Sequence, residues 1–102
     1  MLLFTGMEAA YGTRGYYLDH PAVAPALGAL LAAEGIAFLG LDMPSPDHFP
    51  FAVHKALLGA GIPIVENLRN LALLTMPFEV AAFPLAILGE ASPVRAVARR
   101  RL

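Results

Sequence analysis

The order of apolar and polar positions divides the chain into short elements. Residues 2–5 (Leu2, Leu3, Phe4, Thr5) form an apolar run stopped by Gly6, which predicts a strand. Residues 8–19 hold Tyr11, Gly12, Gly15, Tyr16 and Tyr17 with no clear period and predict a loop. Pro25 stands where a helix can start, and Leu27, Leu30, Leu31 and Glu34 follow at helical spacing. Gly35 then stops that helix as a C-terminal cap. Residues 36–41 are apolar on both alternating faces, as in a strand covered on both sides. Strand, helix and strand in that order predict a right-handed crossover and a parallel pairing.

Asp42 closes the second strand, and residues 43–50 form a loop containing Pro44, Pro46 and Pro50. Residues 51–58 read as a short helix ended by Gly59-Ala60-Gly61, and residues 62–65 as a further apolar strand running into Glu66. Residues 67–74 predict a turn with a piece of helix, residues 78–88 a long strand, and residues 93–98 an edge strand after a turn at 89–92. There are no internal repeats or low-complexity segments. The predicted class is α/β in one domain.

Composition narrows the functional classes. The 102 residues carry seven basic and eight acidic groups, a net charge of −1, so there is no electrostatic footprint for nucleic acid or anionic lipid. Arg99, Arg100 and Arg101 form a run too short to argue RNA binding. Without cysteine there are no disulfides, thiolate metal sites or cysteine nucleophiles. Mean hydropathy is +0.64, yet the most apolar stretch, 71–88, contains Pro77, Glu79 and Pro84, a poor fit to a spanning helix. The first ten residues lack the basic start of a signal peptide. The expectation is a soluble, cytoplasmic chain, some of whose apolar surface meets a partner or further protein.

Ligands of open parallel sheets gather beyond the carboxyl ends of the strands, where Asp42 and Glu66 are predicted. Glu66 has a plain alternative, pairing with Arg69 three positions on. His54 shares its helix face with Leu57 and Leu58 and so is expected to point inward. A lone inward histidine is more often a hydrogen-bonded core residue than a ligand; with a carboxylate it suits zinc or manganese. Asp47 and His48 are possible additions without a fixed direction in a Pro-flanked loop, and His20 reads as a loop residue near the helix entry.

Residues 49–68, from Phe49-Pro50-Phe51-Ala52-Val53-His54-Lys55 to Val65-Glu66-Asn67-Leu68, resemble the C-terminal signature of the cyclase-type metal-dependent hydrolases. Bacterial kynurenine formamidase and isatin hydrolase belong to that family. Leu2-Leu3-Phe4-Thr5-Gly6, Gly40-Leu41-Asp42-Met43-Pro44-Ser45, Phe78-Glu79-Val80-Ala81-Ala82-Phe83-Pro84-Leu85 and Ser92-Pro93-Val94-Arg95-Ala96 match its pattern as well. The resemblance implies a swivelling β/β/α domain, of which residues 1–102 are the C-terminal half. It implies a hydrolase of an aryl formamide such as N-formylkynurenine, or of a related cyclic amide, in homo-oligomers such as dimers or tetramers. It assigns zinc or manganese to His54 and Glu66, which stand twelve positions apart as the family's pair does. Asp42 is expected close by, holding a ligand or a loop in place. The loop tyrosines Tyr11, Tyr16 and Tyr17 are candidates for contact with substrate or an interface.

The family's main metal motif, HxGTHxDxPxH, belongs to its N-terminal half and has no counterpart here. No catalytic residue is therefore assigned within the chain, and little or no activity is expected from it alone. The alternative reading is an inactive truncated fragment that associates with itself or with a full-length relative.

Overall fold

A computed structural model describes residues 1–75 and 77–100; Arg101, the last of the arginine run, lies outside the described residues. The chain divides into two units, Met1–Leu71 and Ala72–Leu102.

The first unit is built on three short parallel strands, β1 (Leu2–Leu3), β2 (Leu39–Leu41) and β3 (Ile64–Val65), with β2 in the middle. Leu2 and Leu3 lie opposite Gly40 and Leu41, while Leu39 and Gly40 lie opposite Ile64 and Val65. Both connections are helical, so the parallel pairing expected from the strand–helix–strand order is present. The central strand is fully buried, as its two-faced apolar pattern requires. Gly40 has a steric reason: a Cβ there would come within 2.6 Å of Leu2 Cδ2 and 2.8 Å of Leu68 Cδ1. The two leucines close over the space that glycine leaves.

Three helices belong to this unit: α1 (Arg14–Leu18), α2 (Pro25–Glu34) and α3 (Ala52–Gly59). Pro25 opens α2 and Gly35 closes it at φ 64°, both as read from the sequence. Helices α2 and α3 pack together at Gly28, where an added Cβ would stand 3.0 Å from Val53 Cγ2. Leu31, Leu39, Leu41, Met43, Val53, Leu57 and Ile62 fill the core between helices and sheet.

In this unit three features depart from the sequence reading. Residues 8–19 are not a plain loop: a 3₁₀ turn at Met7–Ala10 is followed by α1. The Thr13 hydroxyl starts α1 by accepting a hydrogen bond from the Tyr16 amide at 3.2 Å. The second strand begins at Leu39 rather than Ile36. On α3, Leu57 is buried, but Leu58, one residue further round the helix, is turned outward and 55% exposed.

The second unit is an antiparallel pair, β4 (Phe78–Pro84) and β5 (Val94–Arg100), with Phe78 opposite Arg100 and Pro84 opposite Val94. β4 ends at Pro84 instead of continuing to Leu88, and β5 runs past Ala98 to Arg100. Glu79 and Arg99, directly opposite one another, form an ion pair at 2.5 Å. Among the described residues no helix is long and apolar enough to cross a membrane.

Candidate metal centre

Strands β2 and β3 run parallel, so the segments leaving their carboxyl ends emerge side by side. Backbone hydrogen bonds keep them together past the strands: Asn67 N donates to Met43 O at 2.9 Å and Leu68 N to Leu41 O at 3.0 Å. Asp42 and Glu66 are the first residues beyond these two strands.

Asp42 is completely buried and faces the turn after β1. One carboxylate oxygen accepts from Thr5 N at 2.9 Å and Thr5 Oγ1 at 2.7 Å; the other accepts from Gly6 N at 2.8 Å and Glu8 N at 3.4 Å. Burial pushes its pKa up, but the hydrogen bonds from Thr5, Glu8 and Gly6 outweigh that and hold it below the ordinary 3.8. The same turn carries Glu8, whose Oε2 accepts from Asn70 N at 2.5 Å.

Glu66 meets the first turn of α3. Its Oε1 lies 3.6 Å from His54 Nε2, both side chains being partly exposed. Among the described residues no ion pair joins Glu66 to Arg69, the alternative that three-residue spacing allowed. The Arg69 guanidinium instead lies 5.2 Å from the centre of the Tyr11 ring. Burial raises the pKa of Glu66 above 4.5; His54 and His20 act in the opposite direction and Asp47 adds to the rise.

The other imidazole nitrogen, His54 Nδ1, is 2.5 Å from Asp47 Oδ1. Asp47 Oδ2 accepts from the Val53 amide at 2.7 Å and the His54 amide at 3.3 Å, at the start of α3. The loop direction that the prolines concealed is thus set by a helix cap. An Asp shortly before a predicted helix was the signal available for it. The Phe51 ring stands edge-on to the imidazole, 5.7 Å between centres. His20 and His48 stack at 4.1 Å, and His48 Nε2 bonds the His20 carbonyl oxygen at 2.9 Å.

The tyrosines form an edge-to-face cluster, with Tyr11–Tyr16 at 5.3 Å and Tyr16–Tyr17 at 5.0 Å. Tyr16 is core, and its hydroxyl donates to Asn67 Oδ1 at 2.7 Å; Tyr11 and Tyr17 are about half exposed. Asn67, held at φ 59°, was not singled out in the sequence. Asparagine tolerates that conformation better than most residues.

Two ligands sharing one ion with bonds of about 2.0–2.2 Å at tetrahedral to trigonal angles lie about 3.3–3.6 Å apart. The His54–Glu66 separation fits that geometry, and an imidazole with a carboxylate is a suitable donor set for zinc or manganese. Among the described residues no group of three or more His, Cys, Asp or Glu is placed to hold a metal, so the pair offers two donors.

No family model matches the chain. It is similar to proteins named kynurenine formamidase, at 40% identity over 84 residues with one from Polaromonas naphthalenivorans (76% of this chain, 37% of the relative). Identity is 42% over 76 residues with one from Salinibacter ruber (68% and 34%). It is 37% over 89 residues with one from Bacillus cereus (79% and 43%). A solved structure described as a potential metal-dependent hydrolase with cyclase activity superposes with a TM-score of 0.75 at 26% identity. That match covers 93% of this chain and 47% of the other. The chain thus spans less than half the length of each of these relatives.

Proposed function

From the chain's part-length homology to the kynurenine formamidases and to a metal-dependent hydrolase with cyclase activity, we propose that it contributes to hydrolysis of an aryl formamide, or of a related cyclic amide. We assign His54 and Glu66 as ligands of a divalent ion, zinc or manganese. The observation that carries the assignment is the separation of 3.6 Å between His54 Nε2, in the first turn of α3, and Glu66 Oε1, just beyond β3.

When bound, such an ion supplies polarisation of a carbonyl and lowers the pKa of water. The chain's own residues hold and orient. His54 offers Nε2 because Nδ1 is engaged by Asp47. Glu66 offers a carboxylate whose ionised form burial makes costly, a cost that falls when a cation lies between it and His54. Asp42 ties the turn after β1, including the Glu8 backbone, to the end of β2. Tyr11 and Tyr17, half exposed, are proposed to meet the aryl part of a substrate.

Two protein donors are fewer than the three that catalytic zinc sites ordinarily use. The test is therefore to join or co-express the chain with an N-terminal half carrying HxGTHxDxPxH from a relative. Metal content and N-formylkynurenine hydrolysis are then measured. Both should rise together and fall together in His54→Ala and Glu66→Ala; reconstituted activity indifferent to both changes refutes the ligand assignment. Strong hydrolysis by the 102 residues alone refutes the need for the other half.

A second reading, self-association, draws on the apolar side chains Phe83, Leu85, Ile87 and Leu88, all more than half exposed. Sedimentation should show dimers or larger species; a folded monomer at tens of micromolar refutes it.

A further inference from the structure

Asp47 does more than hold the loop between β2 and α3 to the start of α3. Its two oxygens are committed to different partners: Oδ2 to the Val53 and His54 amides, Oδ1 to His54 Nδ1. The residue is 6% exposed, and the Ser45 hydroxyl pins its backbone by donating to Asp47 O at 2.7 Å. An ionised carboxylate only accepts, so the nitrogen it meets must carry a proton. The geometry points to Asp47 as a positioning residue, which fixes His54 as the Nδ1–H tautomer and turns the bare Nε2 toward Glu66 to receive a cation. This rests on the metal-ligand reading of His54 and Glu66.

Two features of the site support it. The 3.6 Å between Nε2 and Glu66 Oε1 matches the spacing of two donors that share one ion. The Phe51 ring stands edge-on to the imidazole as a second neighbour. A carboxylate behind a ligating imidazole is a recurring arrangement, because it sets which nitrogen is free and raises that nitrogen's basicity.

A helix cap alone would ask less of Asp47. Asparagine can still accept the Val53 and His54 amides through its single oxygen, but it then presents an NH₂ group to His54 Nδ1. Asp47→Asn should therefore keep the fold while moving the imidazole proton to Nε2, where a cation needs the lone pair.

The experiment uses the 102-residue chain with ¹⁵N-labelled histidine and zinc alone as probe. At a pH where the ring carries one proton, His54 in the unmodified chain should show a protonated Nδ1 and a bare Nε2. The reverse pattern overturns the proposal without any variant having to fold. In Asp47→Asn the pattern should reverse and zinc affinity should fall about ten- to a hundredfold. Asp47→Ala should lose affinity and stability together. His54→Ala separates the two readings: if it abolishes zinc binding while Asp47→Asn leaves tautomer and affinity unchanged, the positioning role fails and the ligand assignment stands. If the tautomer reverses in Asp47→Asn but zinc affinity ignores both substitutions, the ligand assignment fails.

Discussion

Replacing Asp42 by asparagine changes almost no volume, so its effect isolates the hydrogen bonds. The carboxylate receives Thr5 N and Thr5 Oγ1 on one oxygen and Gly6 N and Glu8 N on the other. An amide has one acceptor. If it keeps Gly6 and Glu8, its NH₂ faces Thr5, whose hydroxyl can turn to accept but whose amide cannot. If it keeps Thr5, two backbone amides lose their acceptor. The milder case loses one bond to a charged acceptor, worth about 1.5–3 kcal/mol, and reduces the others to neutral strength. The total comes to about 2–4 kcal/mol, roughly 10–30 °C in Tm for a unit of this size. Urea and thermal denaturation of the two chains side by side measure it.

The same residue has a pH signature. Its folded pKa is depressed, so the unfolded state takes up its proton first as pH falls. The stabilisation is complete above the unfolded value near 3.8 and is lost as pH drops through the lower folded value. Asp42→Asn should remove that part of the acid transition. A stability change below about 0.5 kcal/mol, or acid limbs of the same steepness, would refute the account of Asp42 as the tie between β1 and β2.

Other substitutions test other layers of the structure. Leu57→Ala empties a fully buried site on α3 and should cost about 2–5 kcal/mol in urea denaturation. Gly28→Ala pushes a methyl group against Val53 across the α2–α3 contact and should cost about 1–3 kcal/mol, a loss that Val53→Ala in the same chain should largely relieve. Glu66 carries the opposite sign to Asp42. Its folded pKa is raised, so its favourable contribution holds at pH below the unfolded 4.5 and is lost as pH rises through the folded value. Glu66→Gln should accordingly raise the metal-free Tm at neutral pH, and zinc should then protect the unmodified chain more than the variant.

What the sequence made legible follows from how locally each feature is encoded. Helix α2 carries its own start and stop in Pro25 and Gly35, so both ends were readable. Strand β2 was over-extended because Ile36 is apolar like the strand, although the chain leaves the glycine cap there before pairing begins at Leu39. Helix α1 was hidden because Gly12, Gly15 and three tyrosines are weak helix formers; only Thr13 marked its start. The positions of Asp42 and Glu66 beyond their strands follow from parallel pairing, since both strand ends then face the same way. Asp47 was the hard case, because its direction depends on a loop through Pro46 and Pro50 that no periodicity describes.

Those encodings explain why the site sits where it does. Glu66 leaves a strand, His54 lies in the first turn of a helix, and Asp47 lies in the middle of the loop that joins β2 to that helix. Each side chain is positioned by a different backbone, and the hydrogen bonds from Asn67 to Met43 and Leu68 to Leu41 hold two of those backbones together. Core residues would be expected to minimise such an arrangement, since two carboxylates flank one imidazole and burial disfavours the charge on Glu66. A cation at His54 Nε2, as proposed, would reverse the balance. The carboxylates then face positive charge on both sides of the ring, directly for Glu66 and through the Nδ1 proton for Asp47. On the proposed assignment, a bound ion would offset the cost that burial places on the Glu66 charge, as a binding site requires and a core does not.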